Sequence, residues 1–452
     1  MCYAEASVLR ASHLNWALAY NSTEIQLSKI KTRIDFKPQV PEILYKQAGA
    51  RCSVPRCSNP TMGPFYDLDG AVNMGVACHI YSASENGPRG WGGKDADFIS
   101  SEKNGLWCCQ YHAALIDKKN GRDYPASTLF AWKELIEART RKLMNDTPSP
   151  LGWIESIAID KFASDKGISP NIELSRWSLI WGKNGVGKTA LLEFAASISN
   201  AKYAERFSGN QNSIFETNVK YSTVDSFNKN LTLSIVNGDF KRLENGVECL
   251  LPPGDLEVIY CDVGDLRAHE HEDHIDVMQR VLNVDKAALM SLCSIGTKTL
   301  IPGEIKFEPG VVEDEDDWDY ENDTYVTKPR LKLNEEPFYE LYFKRKNSSL
   351  DRFASFEQLS TSERAKLILD LQITKAREIA KQRLTLLLVE GLAVNFDKVS
   401  FRSLLNALEN ENFQAIVSIP PFLDGEIIDK KQSTVCLQDH DYLRSWSLRV
   451  IS

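Results

Sequence analysis

Apolar and polar positions along this 452-residue chain repeat with two different periods. Ile154, Ile157 and Ile159, followed by Phe162, open a strand-like pattern. From Val219 to about Cys249 positions alternate, as in Leu231-x-Leu233-x-Ile235, which predicts antiparallel strands with one face covered. Trp177–Trp181, Leu256–Tyr260, Leu384–Glu390 and Ala415–Ile419 are short, continuous apolar runs, as strands buried on both faces require. Helical spacing marks Phe130–Met144, Ala190–Ala196, Val277–Leu282 and a long run after Glu363. Strands and helices interleave beyond residue 152, so the larger part of the chain is expected to be α/β.

Two polar stretches interrupt the pattern. Asn145-Asp146-Thr147-Pro148-Ser149-Pro150 reads as a linker. Glu313–Asp319, acidic on to Asp323, reads as a self-repelling surface loop, with nucleic-acid mimicry as the sharper alternative. The length allows two or three domains. No apolar run is long enough to span a membrane, and Met1–Ala6 lacks a signal-peptide layout, so a cytoplasmic location is expected. Ten cysteines without a secretory signal point to metal ligands more than to disulfides. Residues 1–150 carry 18 Lys+Arg against 15 Asp+Glu, and the remainder 35 against 47. A slightly basic front suits nucleic acid, although a surplus this small also suits an ordinary surface.

Between the runs Trp177–Trp181 and Ala190–Ala196 lies Gly182-Lys183-Asn184-Gly185-Val186-Gly187-Lys188-Thr189, a complete G-x-x-x-x-G-K-[ST] sequence with a strand before it and a helix after it. Glycines let backbone N–H groups face a phosphate, and the helix N-terminus adds its dipole. Gly182, Asn184, Gly185 and Gly187 would shape the cradle. Lys188 would reach the β- and γ-phosphates, and Thr189 would hold Mg²⁺. ATP or GTP is the expected ligand.

In the front third, Cys52-x4-Cys57 and Cys109-x2-His112 supply four ligands in two close pairs, the requirement of a tetrahedral structural Zn²⁺. Between the pairs lie Cys78-His79-Ile80, Asn86–Gly90 and Asn104-Gly105-Leu106-Trp107. With these residues the stretch 50–140 resembles the HNH nucleases, whose ββα-metal fold holds a divalent cation, Mg²⁺ or Mn²⁺. The resemblance implies His79 as general base, Asn104 as the residue fixing its loop, and Arg89 as a phosphate contact. The last histidine of the family pattern falls on Ala113. Asp117, one helical turn on, would substitute as cation ligand; otherwise the domain would only bind nucleic acid.

From residue 152 to about 430 the chain resembles the SMC/RecF-like branch of ABC-type ATPases. Phe162 would stack on adenine. Phe356–Glu363 resembles the family signature, in which Ser360 would contact the γ-phosphate held by a second copy; Ser360 with Glu363 is also an ordinary helix cap. Glu390 takes the Walker B position and could hold magnesium through its water shell. Gly391 falls where a water-polarising Glu is expected, Asp397 at the D-loop acid, and Pro420-Pro421 where a switch histidine is expected. The resemblance therefore implies tight ATP binding, head-to-tail pairing of two copies and slow or absent hydrolysis, with Asp397 as the alternative surrogate acid. His269-x-His271 with Glu270, Glu272, Asp273 and His274 reads as solvated polar surface more than as a metal site.

The expected organisation is an N-terminal segment (1–50), a zinc-containing ββα domain of HNH type (51–145), a linker (146–152), an ABC-type head (153–440) and a tail (441–452). Together the two resemblances match the ATPase and HNH components of Septu-type antiviral systems and of retron modules. They imply an ATP-gated nuclease acting on nucleic acid, DNA before RNA, as a homo-oligomer that an additional defence subunit could join. The other readings are a non-catalytic DNA-binding scaffold in which zinc and ATP serve structure, and a repair ATPase using the HNH fold for DNA contact.

Overall fold

The computed structural model describes residues 33–57, 59–65, 69–144, 152–161, 171–208, 214–262, 268–269, 271–321, 323–346, 352–391, 396–431 and 434–451. Five parallel strands form the central sheet, in the order Leu256–Asp262, Leu384–Glu390, Gln414–Ser418, Trp177–Trp181, Ser447–Val450. Their continuous apolar character has a direct cause, since successive residues enter opposite cores. Leu386, Leu388, Ile416 and Ile180 pack against the helix Lys188–Ala196. Leu387, Val389, Val417 and Leu179 pack against the opposite layer, built from the helices Thr361–Ile379, His274–Leu282, Lys286–Ile295 and Lys398–Leu408.

A six-stranded antiparallel sheet closes the first core. Its order is Val247–Glu248, Asp239–Glu244, Lys229–Val236, Ile214–Thr223, Gly152–Lys161, Asn171–Glu173. The alternating Leu231, Leu233 and Ile235 all face inward, as their period of two requires. This α/β architecture, called the head below, places the glycine-rich loop at the carboxyl end of a parallel strand, where open α/β sheets bind ligands.

The N-terminal unit is small. The antiparallel hairpin Gly75–His79/Gly105–Cys109 leads directly into the helix Gln110–Ile116, and the long helix Ala126–Leu143 lies behind it. Its core does not close alone. Trp153 of the head completes it, with its ring edge-on to Trp132 at 6.0 Å. The buried Arg139 donates to the carbonyls of Thr223 and Pro55, so its guanidinium bridges the two units.

Four expectations need correction. The segment 1–50 is not separate where it is described: the helix Val40–Gln47 crosses the hairpin so closely that a Cβ on Gly105 would lie 2.3 Å from Leu44 Cδ1. Residues 441–452 are no tail, because Ser447–Val450 is the edge strand beside the phosphate-loop strand. The acidic run is a strand, Val311–Asp319, paired with Thr324–Pro329. The helix expected at Val277 begins at His274, because Asp273 caps it. The linker residues 145–150, Phe162 and Glu270 lie outside the described residues.

Candidate nucleotide, metal and histidine sites

The phosphate loop connects the strand Trp177–Trp181 to the helix Lys188–Ala196. Gly185 and Gly187 adopt φ of 83° and 91°, a region that side-chain-bearing residues rarely enter, and this turns the backbone into the helix. Lys188 Nζ donates to the carbonyls of Gly182 and Lys183 at 2.6 and 2.9 Å, so the ammonium is aimed into the loop. Burial lowers the Lys188 pKa, and the charges of Glu390 and Asp424 oppose that shift. Thr189 Oγ1 donates to Glu390 Oε1 at 2.6 Å, and Tyr260 OH donates to Glu390 Oε2 at 2.7 Å. Burial, then Glu390, raises the Tyr260 pKa, which keeps the phenol a donor.

These groups line an open cleft of about 1650 Å³ that also includes Asn184, Asp262, Gly391, Pro420, Pro421 and Asp424. A hydroxyl beside a carboxylate is a hard oxygen donor set of the kind Mg²⁺ takes alongside phosphate. Thr189 and Glu390 therefore fit a magnesium–nucleotide ligand, and Lys188 with the loop amides fits its phosphates. The sequence reading missed Tyr260, Asp262 and Asp424. Asp262 could have been found: its strand was expected to stop at Tyr260, yet it pairs with Glu390 in register, at the strand ends where α/β sheets bind ligands.

Gly391 has φ of 76°. The chain therefore turns at this position in a conformation that disfavours a glutamate. Asp397 caps the helix Lys398–Leu408, its Oδ1 accepting from Ser400 N at 2.7 Å. Hydrogen bonds from Ser400 hold its carboxyl below the ordinary range. Ser360 caps the 19-residue helix Thr361–Ile379 in a reciprocal arrangement with Glu363. It is exposed and is not among the residues lining the cleft of its own chain.

Cys52, Cys57, Cys109 and His112 come together, with all four ligand atoms within 4.8 Å of one another. His112 Nδ1 lies 3.5 Å from Cys52 Sγ and 3.2 Å from Cys109 Sγ. Hydrogen bonds from Cys108 and then His112 hold the Cys52 thiol far below its ordinary range against the effect of burial, while burial raises Cys57 and Cys109. A closed set of three sulfurs and one imidazole nitrogen leaves no open position for substrate. It fits a structural zinc ion.

His79 ends its hairpin strand opposite Gly105. Phe36 stacks on its ring at 3.6 Å and 6°, and Nε2 is buried without a hydrogen-bond partner among the described residues. Burial, then the Arg33 charge, pushes its pKa down to about 4; Asp35, the Ile34 backbone and Asp117 act in the opposite direction. Asn104 is fully buried and clamps the turn after His79, accepting from Tyr81 N and donating to Tyr81 O and Ile99 O.

Arg89 is not placed to contact a phosphate, contrary to expectation. Its side chain is 6% exposed and donates to the carbonyls of Ile80, Ile116 and His79 and to Asp117 Oδ1. A buried guanidinium satisfied by four acceptors is a structural clamp. It ties Asp117 to the His79 turn, at 2.6 Å from Oδ1. Among the described residues no group of three potential ligands gathers there. Asp117 is thus a minimal donor, acceptable for Mg²⁺ only with substrate phosphate and water. Phe36 was also missed, because no motif marks it.

No family model matches the sequence, and no curated protein matches it either. Among solved structures, the chain is similar to an SMC head bound to the C-terminal winged-helix domain of ScpA (13% identity, TM-score 0.39), over 63% of this chain and 96% of that one. It is similar to the ATP-bound recombination mediator RecF (12%, 0.40), over 63% and 94%. It is also similar to the SMC head of Thermotoga maritima (12%, 0.34), over 64% and 99%. The head is defined here by its own strand order and loop geometry. Among the described residues no helix is long and apolar enough to cross a membrane.

Proposed function

We propose that this chain is an ATP-controlled nuclease of the antiviral-defence kind, in which an ABC-type head pairs head-to-tail and governs an HNH-type domain. The carrying observation is that His79 sits at the end of a hairpin strand, its turn clamped by Asn104 and Arg89, on a unit anchored by a Cys3His cluster and sharing its core with the head. In this reading neutral His79 takes a proton from water beside a phosphodiester, Asn104 and Arg89 hold the turn that aims it, and Asp117 offers a carboxylate to Mg²⁺ or Mn²⁺. When bound, that cation would stabilise the phosphate charge and the leaving oxyanion. ATP lies between Lys188, Thr189 and Glu390 of one copy and Ser360 of the next, and holds the pair closed. Gly391 offers no carboxylate where the water-polarising glutamate is expected, so hydrolysis is slow unless Asp397 serves as a surrogate acid. The partners are nucleic acid, DNA before RNA, a second copy, and a further defence subunit; the setting is cytoplasmic.

Incubation of the protein with plasmid DNA or RNA and Mg²⁺ or Mn²⁺, with and without ATP, beside His79→Ala tests this. Cutting that vanishes in the variant is expected. Ala113, the single carboxylate and the covered imidazole favour a second reading, a non-catalytic DNA-binding ATPase. Absence of cutting in every condition selects it.

A further inference from the structure

His79 has a neighbour that its proposed chemistry does not need. The segment Arg33–Phe36 lies over it: Phe36 stacks face to face on its ring at 3.6 Å. The imidazole nitrogen Nε2 is left buried with no partner among the described residues. A buried polar atom without a partner is costly, and at the candidate base it calls for an explanation. With Phe36 over the ring and Nε2 buried, that nitrogen has no direct path to a phosphodiester.

Among the described residues the segment is held by the packing of Phe36 on the small core around Val40 and Leu44 and by the backbone bonds Ile34 N to Ala83 O at 2.8 Å and Lys37 N to Ser100 O at 3.1 Å. Two exposed ion pairs, Arg33–Asp35 and Lys37–Asp97, add little, because water and salt screen them. Arg33 lies close enough to His79 to act on its charge, and Lys37 directly follows the stacked Phe36; a polyanion competes for both cations.

We propose that Arg33–Phe36 is an autoinhibitory strap over His79, which nucleic-acid phosphates displace by capturing Arg33 and Lys37. This rests on the nuclease reading for its purpose, but the shielding can be measured without it. Diethyl pyrocarbonate acylates accessible neutral imidazoles, and mass spectrometry reads each histidine. In the whole wild-type chain His79 should react at least about tenfold more slowly than the exposed His271 and His440. Phe36→Ala should bring it within about threefold of them, and Phe36→Trp, which keeps an aromatic face on the ring, should leave it slow. Zinc content confirms that each variant is folded.

Hydrogen exchange at the Ile34 amide supplies a measurement on the unaltered protein. Added duplex DNA should speed exchange, and Arg33→Glu with Lys37→Glu should abolish the acceleration. Wild-type His79 reacting as fast as His440 overturns the strap, and so does DNA that leaves Ile34 exchange unchanged or slower. Free labelling of Phe36→Ala with no cutting of DNA or RNA overturns the nuclease reading while the strap stands. Cutting by a wild type whose His79 is already exposed does the reverse.

Discussion

The head and the N-terminal unit each bring a reactive constellation together, but in opposite conditions. In the head, Lys188, Thr189, Glu390 and Tyr260 stand around an open cleft, already hydrogen-bonded in the arrangement a magnesium–phosphate ligand needs. In the N-terminal unit His79 is positioned by Asn104 and Arg89 but lies under Phe36, its Nε2 enclosed. The contrast separates two tasks. A site that binds can remain assembled and open, whereas on the proposed nuclease reading the N-terminal site would endanger its host unless something covered it.

The largest effect should come from zinc. Four ligands clamp the Cys52–Cys57 loop to the start of the helix Gln110–Ile116, beneath a core of few residues. Structural zinc sites contribute on the order of 10 kcal/mol to folding at neutral pH. Chelation, or Cys109→Ser, should therefore melt the N-terminal unit while the head retains ATP binding. Zinc-free protein with unchanged melting and circular dichroism would mean that the unit is held by its shared core with Trp153 instead.

Lys188→Ala should act on the other side of the comparison. Losing a charged donor to phosphate costs about 1.5–3 kcal/mol, so ATP affinity should fall roughly 10- to 150-fold by calorimetry. The rate of His79 acylation should not change. A variant that binds ATP normally would remove the phosphate loop from the reading altogether.

A smaller effect tests the proposal that the cleft holds nucleotide more than it turns it over. Wild-type turnover should lie well below the ~1 s⁻¹ typical of enzymes. Gly391→Glu should not rescue it, because at φ 76° a glutamate is strained by about 1 kcal/mol and its carboxylate leaves from a different backbone direction. Brisk hydrolysis in that variant would show that the missing side chain alone set the rate.

The two regions were also unequally legible in the sequence. The head's strands could be read because continuous apolar runs and strict alternation report burial directly, and Gly182–Thr189 fixed its chemistry. Ser447–Val450 was not legible: Ser447, Leu448 and Arg449 do not read as a buried strand, and only pairing with Ser178–Trp181 makes them one. Cys52, Cys57, Cys109 and His112 were legible as a set because ligands travel in close pairs. Arg89 was misread for a physical reason, since an arginine's charge suggests phosphate while its four acceptors are backbone and carboxylate groups remote in sequence. Phe36 is an isolated aromatic, and nothing local says that it lies on His79.

That contact leads to the smallest and most specific effect. The folded pKa of His79, about 4, lies below the ordinary value near 6.5. The unfolded chain therefore binds the proton first as pH falls. The stability contributed by neutral, buried His79 is complete above about pH 6.5, declines through the window below it, and is gone once pH passes the folded value. Zinc thiolates also protonate in acid, so wild type must be compared with His79→Ala, in which the zinc contribution is the same and cancels. Wild type should lose its advantage over that variant between pH 6.5 and 4, and the loss should be smaller in Phe36→Ala, where Arg33 and burial act less on the ring. Parallel melting curves for wild type and His79→Ala across that window would mean that the imidazole is already solvated, and the contrast between an open cleft and a covered base would collapse.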